Sequence, residues 1–119
     1  MPLAIRLLGP ALLLCVLAVG CASTPAAGPA PAGEGAISIT RSFTFDPAQL
    51  SVTRGAAVTW TNADGTAHTV TSGAPGSPSG RFDQQLDAGR TFTFTFADAG
   101  TYEYFCTIHP TMRGQVVVN

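Results

Sequence analysis

The sequence predicts an all-β fold, an antiparallel sandwich or barrel of about eight short strands. Three observations carry that expectation. Apolar residues recur at every second position in short runs, the period of a strand buried on one face. Glycine, proline, asparagine and aspartate punctuate the runs at regular spacing. No stretch beyond residue 35 carries a helical period.

The runs follow in order. "ISITRSFTF" (Ile37 to Phe45) alternates and stops at Asp46-Pro47, and "QLSVTRG" is a short run closed by Gly55. "AVTWTN" (Ala57 to Asn62) precedes the turn "ADGT", after which "HTVTS" starts at His68. "SGAPGSPSG" (Ser72 to Gly80) is too rich in Gly, Pro and Ser for a strand and reads as a solvated loop. "RFDQQL" leads to "AGRTFTFTF", the cleanest strand, with Phe92, Phe94 and Phe96 on the core face and Thr91, Thr93 and Thr95 opposite. "TYEYFC" and "QVVV" end the chain.

The first 35 residues are of another kind. Arg6 lies within a nearly apolar stretch from Leu3 to Val19 that Gly9 and Pro10 interrupt, a pattern expected of an export signal over residues 1–20. "LAVGC" (Leu17 to Cys21) resembles a bacterial lipobox, which implies a lipid-bearing Cys21, although Ala18 stands where leucine is usual. The same residues fit ordinary cleavage further on, or an uncleaved N-terminal anchor. Ala22 to Gly35, made of Ala, Pro, Gly, Ser, Thr and one Glu, is expected to be a disordered tether reaching roughly 20 to 45 Å. The folded domain is then expected over 36–119, on the periplasmic or cell-surface side of a bacterial membrane.

Charge excludes one class of function. The six basic residues are all arginines, the formal net charge is −1, and no basic stripe or groove-entering helix suggests nucleic-acid binding. Of three cysteines, Cys15 falls in the signal and Cys21 at its end, so Cys106 is alone in the domain and has no disulfide partner there. "DAGTYEYFC" has the tyrosine-to-cysteine offset of an immunoglobulin corner, but with no second cysteine it reads as a Greek-key corner common to several sandwiches.

That cysteine opens "FCTIHPTMRGQVVV" (Phe105 to Val118), which sets Cys106, His109 and Met112 within seven positions. Tyr102, Tyr104 and Cys106 share a strand face, and Pro110 stiffens the loop behind His109. A thiolate, an imidazole and a thioether together suit a soft metal, and Cu(II) takes two imidazoles and a thiolate in a trigonal plane with a long axial methionine. His68 is the one other histidine, placed by the strand order at the same end of the fold. By alternation Phe105 points away from the core, which makes it a candidate surface contact.

"YEYFCTIHPTMRGQVVV" together with "NADGTAHTV" resembles the type 1 (blue) copper proteins, the plastocyanin/azurin or cupredoxin family, with the short C-x-x-H-x-x-M loop of amicyanin. The resemblance implies an eight-stranded Greek-key β-sandwich that carries single electrons between partners outside the cytoplasm. It implies one copper per chain, His68, Cys106 and His109 as equatorial ligands, and Met112 as the axial one. It further implies a bond from Asn62 to Thr107, and a backbone N–H of Thr69 donated to the Cys106 sulfur. Thr69 itself departs from the family's usual asparagine. The implied partners are redox proteins (a cytochrome, a dehydrogenase or an oxidase) that dock near His109 on a carrier expected to be monomeric.

Two other functions compete. A copper storage or delivery protein would have an exposed site rich in methionine or histidine, yet the chain has two methionines, one of them Met1. A metal-free interaction module would leave the matched ligand set without a purpose. An enzyme of the multicopper kind needs more histidines than the two present.

Overall fold

The computed structural model describes residues 34–119. The expected signal segment, the lipidation at Cys21 and the linker up to residue 33 lie outside the described residues. Among those described, nine strands and no helix occur: β1 (Gly35–Ile39), β2 (Phe45–Asp46), β3 (Gln49–Val52), β4 (Ala56–Asn62), β5 (His68–Ala74), β6 (Ser77–Leu86), β7 (Thr91–Phe96), β8 (Gly100–Phe105) and β9 (Arg113–Val118). They form two sheets, in the orders β2-β1-β4-β7 and β3-β9-β8-β5-β6.

Alternation accounts for the first sheet. Ile37, Ile39, Val58, Trp60 and Phe96 turn inward and are buried, while Thr59 and Thr93 pair their hydroxyls on the outer face at 2.8 Å. Trp60 is at the centre of the core, with the rings of Phe82, Phe92, Phe96 and Tyr104 at centroid distances of 5.3 to 6.4 Å. Aromatic pairs at such offsets contribute beyond their buried area.

Three features differ from the expectation. The run read as one strand from Ile37 to Phe45 is broken at Thr40–Thr44, where Thr40 N–H donates to Thr44 O and Phe43 N–H to Thr40 O. That break yields the ninth strand, β2. The pairing is mixed, with β1 parallel to β4 and β3 parallel to β9, because the chain crosses from one sheet to the other between β2 and β3. The Ser72–Gly80 stretch is a hairpin and not a loop: β5 continues to Ala74 and β6 starts at Ser77. Gly73, at φ 107°, makes this possible, since a Cβ there would lie 2.5 Å from Ser77 O and Ser79 N. Buried Ser72 accepts from the N–H groups of Arg81 and Phe82 and donates to Phe82 O, so the irregular register is satisfied. Pro78 is tolerated because β6 is a sheet edge.

The second sheet carries the C-terminal strands. Tyr104 faces the core and is fully buried, and burial pushes its hydroxyl up to about 12, which the nearby Trp60 indole partly opposes. Neither Trp60 Nε1 nor the Tyr104 hydroxyl makes a well-aligned hydrogen bond. Gly114 is paired opposite Tyr104, and a Cβ at that position would run into the Tyr104 ring. Phe105 points to the other face, as alternation demands. It is nonetheless buried, so it offers no surface contact. Gly114→Ala is expected to destabilise the domain by about 1–3 kcal/mol, the cost of overpacking a filled site. An unchanged denaturant midpoint would contradict this packing.

Candidate metal centre

Two segments meet at one end of the sandwich. The first is the turn between β4 and β5, which Asn62 folds from within the core. Its Nδ2 donates to Thr66 O at 2.7 Å and to Leu86 O at 2.9 Å, and its Oδ1 accepts the N–H of Asp64 at 2.9 Å. These bonds occupy both amide hydrogens, so Asn62 does not bond to Thr107 as the resemblance implied. The turn delivers His68 as the first residue of β5, fully buried.

The second segment is the loop between β8 and β9. Cys106 follows Tyr104 on the inward face and is fully buried. Backbone bonds close the loop, with Cys106 N–H donating to Met112 O at 3.1 Å and Met112 N–H to His109 O at 2.8 Å. Met112 is buried at its end, while Ile108, Pro110 and Thr111 around half-buried His109 are exposed.

Thr69 fastens the two segments. Its backbone N–H donates to Cys106 Sγ at 3.3 Å, as expected. Its hydroxyl accepts the N–H of Thr107 at 2.8 Å and lies 3.1 Å from the Thr107 hydroxyl. The side chain thereby makes the loop-to-strand bond that was expected of Asn62. Further contacts extend to the Thr71 hydroxyl and from there to Asp83.

The structure brings His68, Cys106 and His109 together, with one donor atom from each within 4.8 Å of the others. Cys106 Sγ lies 3.8 Å from His68 Nδ1 and 3.9 Å from His109 Nδ1, and the two Nδ1 atoms are 3.3 Å apart. A trigonal ion with bonds of about 2.0–2.3 Å would space nitrogen and sulfur donors about 3.6–3.8 Å apart. The donor triangle therefore fits one ion, and two nitrogens with one soft sulfur fit copper.

Two neighbours carried no signal in the sequence. Asp64 Oδ2 lies 2.8 Å from His68 Nε2. The hydrogen bond from His68, then those from the Thr66 hydroxyl and the Gly65 N–H, lower its carboxyl to about 2. Phe43 is the other. Its ring centroid is 4.8 Å from that of His109 and 5.7 Å from that of His68, so it partly covers both imidazoles. It takes φ 58°, a conformation that costs a side-chain-bearing residue about 1–2 kcal/mol. Composition held no hint of this, because "SFTF" scans as strand.

Comparison with known proteins agrees with the geometry. Residues 34–119 match the model of the family described as copper binding proteins, plastocyanin/azurin family. Amicyanin-alpha of Methylorubrum extorquens is 37% identical over 90 residues, covering 75% of this chain and 75% of the relative. Amicyanin of Paracoccus denitrificans is 35% identical over 103 residues, covering 82% and 78%. Among solved structures, a purple cupredoxin from Nitrosopumilus maritimus superposes with a TM-score of 0.66 at 31% identity, covering 71% of this chain and 99% of that one. The reduced Cu(I) form of an amicyanin point variant gives 0.64 at 33% identity, covering 73% and 83%. The fold and donor set define a type 1 cupredoxin. The chain belongs to the plastocyanin/azurin family of copper-binding proteins, and its cofactor is copper.

Because the Thr69 hydroxyl joins strand to loop, Thr69→Val is expected to cost about 1–2 kcal/mol in the metal-free protein. Thermal unfolding measures this, and a melting temperature equal to that of the wild type would contradict the role given to the hydroxyl.

Proposed function

We propose that the protein is a one-electron carrier acting outside the cytoplasm, with His68, Cys106 and His109 as equatorial copper ligands and Met112 as the axial ligand. The observation that carries this reading is the convergence of the thiol and two imidazoles at one buried point of a cupredoxin sandwich. Bound copper supplies a Cu(I)/Cu(II) couple, and the chain's task is to hold its ligands in one arrangement for both states. The sandwich and the closed 106–112 loop do that, since the loop's backbone bonds and Pro110 leave Cys106 and His109 little freedom. The Thr69 N–H donated to Sγ withdraws charge from the thiolate and so helps set the potential. Full burial of Cys106 and His68 disfavours an open site for handing over the ion.

His109 is the outward side of the site and the proposed route for electrons. Ile108 and Phe43, 48% and 45% exposed, flank it and form a small apolar patch for a redox partner such as a cytochrome, a dehydrogenase or an oxidase. Encounters of this kind bury little area and dissociate readily. The proposed carrier acts without catalysing a reaction of its own. Residues 1–20 serve as an export signal, lipid on Cys21 anchors the protein, and residues 22–35 let the domain reach from the membrane surface to its partners.

The copper-loaded protein is expected to show an intense visible band from thiolate-to-Cu(II) charge transfer. Cys106→Ser should abolish it, while Met112→Leu should keep it and raise the potential by removing a donor that favours Cu(II). Absorption spectroscopy with a redox titration decides the matter; a colourless, copper-replete wild type contradicts the electron-carrier reading. In cell fractionation, Cys21→Ala should move the protein from membranes to the soluble fraction. Unchanged membrane association would indicate an uncleaved anchor.

A further inference from the structure

The bond between Asp64 and His68 is a feature that ligand chemistry alone does not require. A ligating imidazole needs a partner for its outer N–H, and a backbone carbonyl or a water would serve. Here the partner is a carboxylate. His68 is fully buried, and the Asp64 side chain is 11% exposed, so the bond is shielded on the imidazole side and borders solvent on the carboxylate side. The carboxylate is also fixed. Gly65 N–H donates to Oδ1 at 2.8 Å, the Thr66 hydroxyl donates to Oδ2 at 2.8 Å, and Asn62 holds the Asp64 backbone from the core. Among the described residues no arginine pairs with it, so its charge is directed at the imidazole.

We propose that Asp64 is a positioning and potential-tuning residue of the copper site, acting through His68. By accepting the Nε2–H it fixes the tautomer in which Nδ1 presents its lone pair toward Cys106 and His109. By its charge it increases electron donation from the imidazole and favours Cu(II) over Cu(I), because the more positive state gains more from a nearby anion. Asp64 therefore lowers the reduction potential and strengthens Cu(II) binding. This role rests on the copper-carrier reading given above.

The test uses the full chain with Asp64→Asn and Asp64→Ala. Asparagine lacks the charge and keeps one acceptor oxygen, which can take the place of Oδ2 toward His68 and Thr66 or of Oδ1 toward Gly65 N–H but not of both, and it preserves the size of the side chain where alanine would empty the turn. Cu(II) affinity is expected to fall about tenfold in Asp64→Asn, the lower end for loss of an outer partner. With Cu(I) binding less affected, the potential rises, by about 59 mV if that tenfold is confined to Cu(II). In the metal-free protein, nitrogen NMR should find His68 as the Nε2–H tautomer in the wild type and as a mixture in Asp64→Ala. A potential and a Cu(II) affinity in Asp64→Asn that both equal the wild type's overturn the inference while leaving the carrier reading intact. A wild type that takes up no copper overturns both.

Discussion

The fold places its chemistry through one fastening, that of Thr69 to the loop after Cys106. Two segments nearly 40 positions apart are joined there by a backbone N–H to sulfur and by a hydroxyl to the N–H of Thr107. Each bond is modest alone, about 1 kcal/mol. Their importance is geometric, because together with the β5–β8 pairing they hold the first imidazole beside the thiol. They extend the pairing of β5 with β8, Thr71 opposite Phe105 and Ser72 opposite Tyr104, beyond the strand ends to the loop that carries Cys106.

The rest of the molecule supports that fastening. Asn62 ties the turn that introduces His68 to the end of β6, with bonds to Thr66 O, Asp64 N–H and Leu86 O, and Asp64 in that turn orients the imidazole from behind. Tyr104, wedged against Trp60 and over Gly114, sets the depth of the strand that ends in Cys106. Phe43, in an uncommon backbone conformation, partly covers the imidazoles. Rigidity on three sides is what a carrier needs if its ligands are to stay in place while charge changes.

Much of this is legible in the sequence, for physical reasons that differ by element. The Phe/Thr alternation of β7 and the Tyr-x-Tyr-x-Cys parity of β8 are period-two signals that burial on one face imposes, and both hold in the structure. Histidine, cysteine and methionine are so scarce here that the converging donors have few candidates. The hairpin of β5 and β6 is hidden because Gly, Pro and Ser usually mark loops, whereas here Gly73 permits a bulge and Ser72 satisfies it. The bond expected from Asn62 to Thr107 is made elsewhere because a threonine at position 69 can accept that N–H itself. Phe43 and Asp64 leave no trace, since a left-handed phenylalanine and a carboxylate aimed at a ring nitrogen are facts of three-dimensional placement.

X-ray absorption at the copper edge of the Cu(II)-loaded protein tests the site most directly, because it reports the atoms bound to the ion without reference to colour or potential. One short copper–sulfur shell with two imidazole nitrogens is the expected result. A shell of oxygen and nitrogen alone, with no sulfur, would contradict the assignment of Cys106 and with it the placement of the ion between β5 and the 106–112 loop.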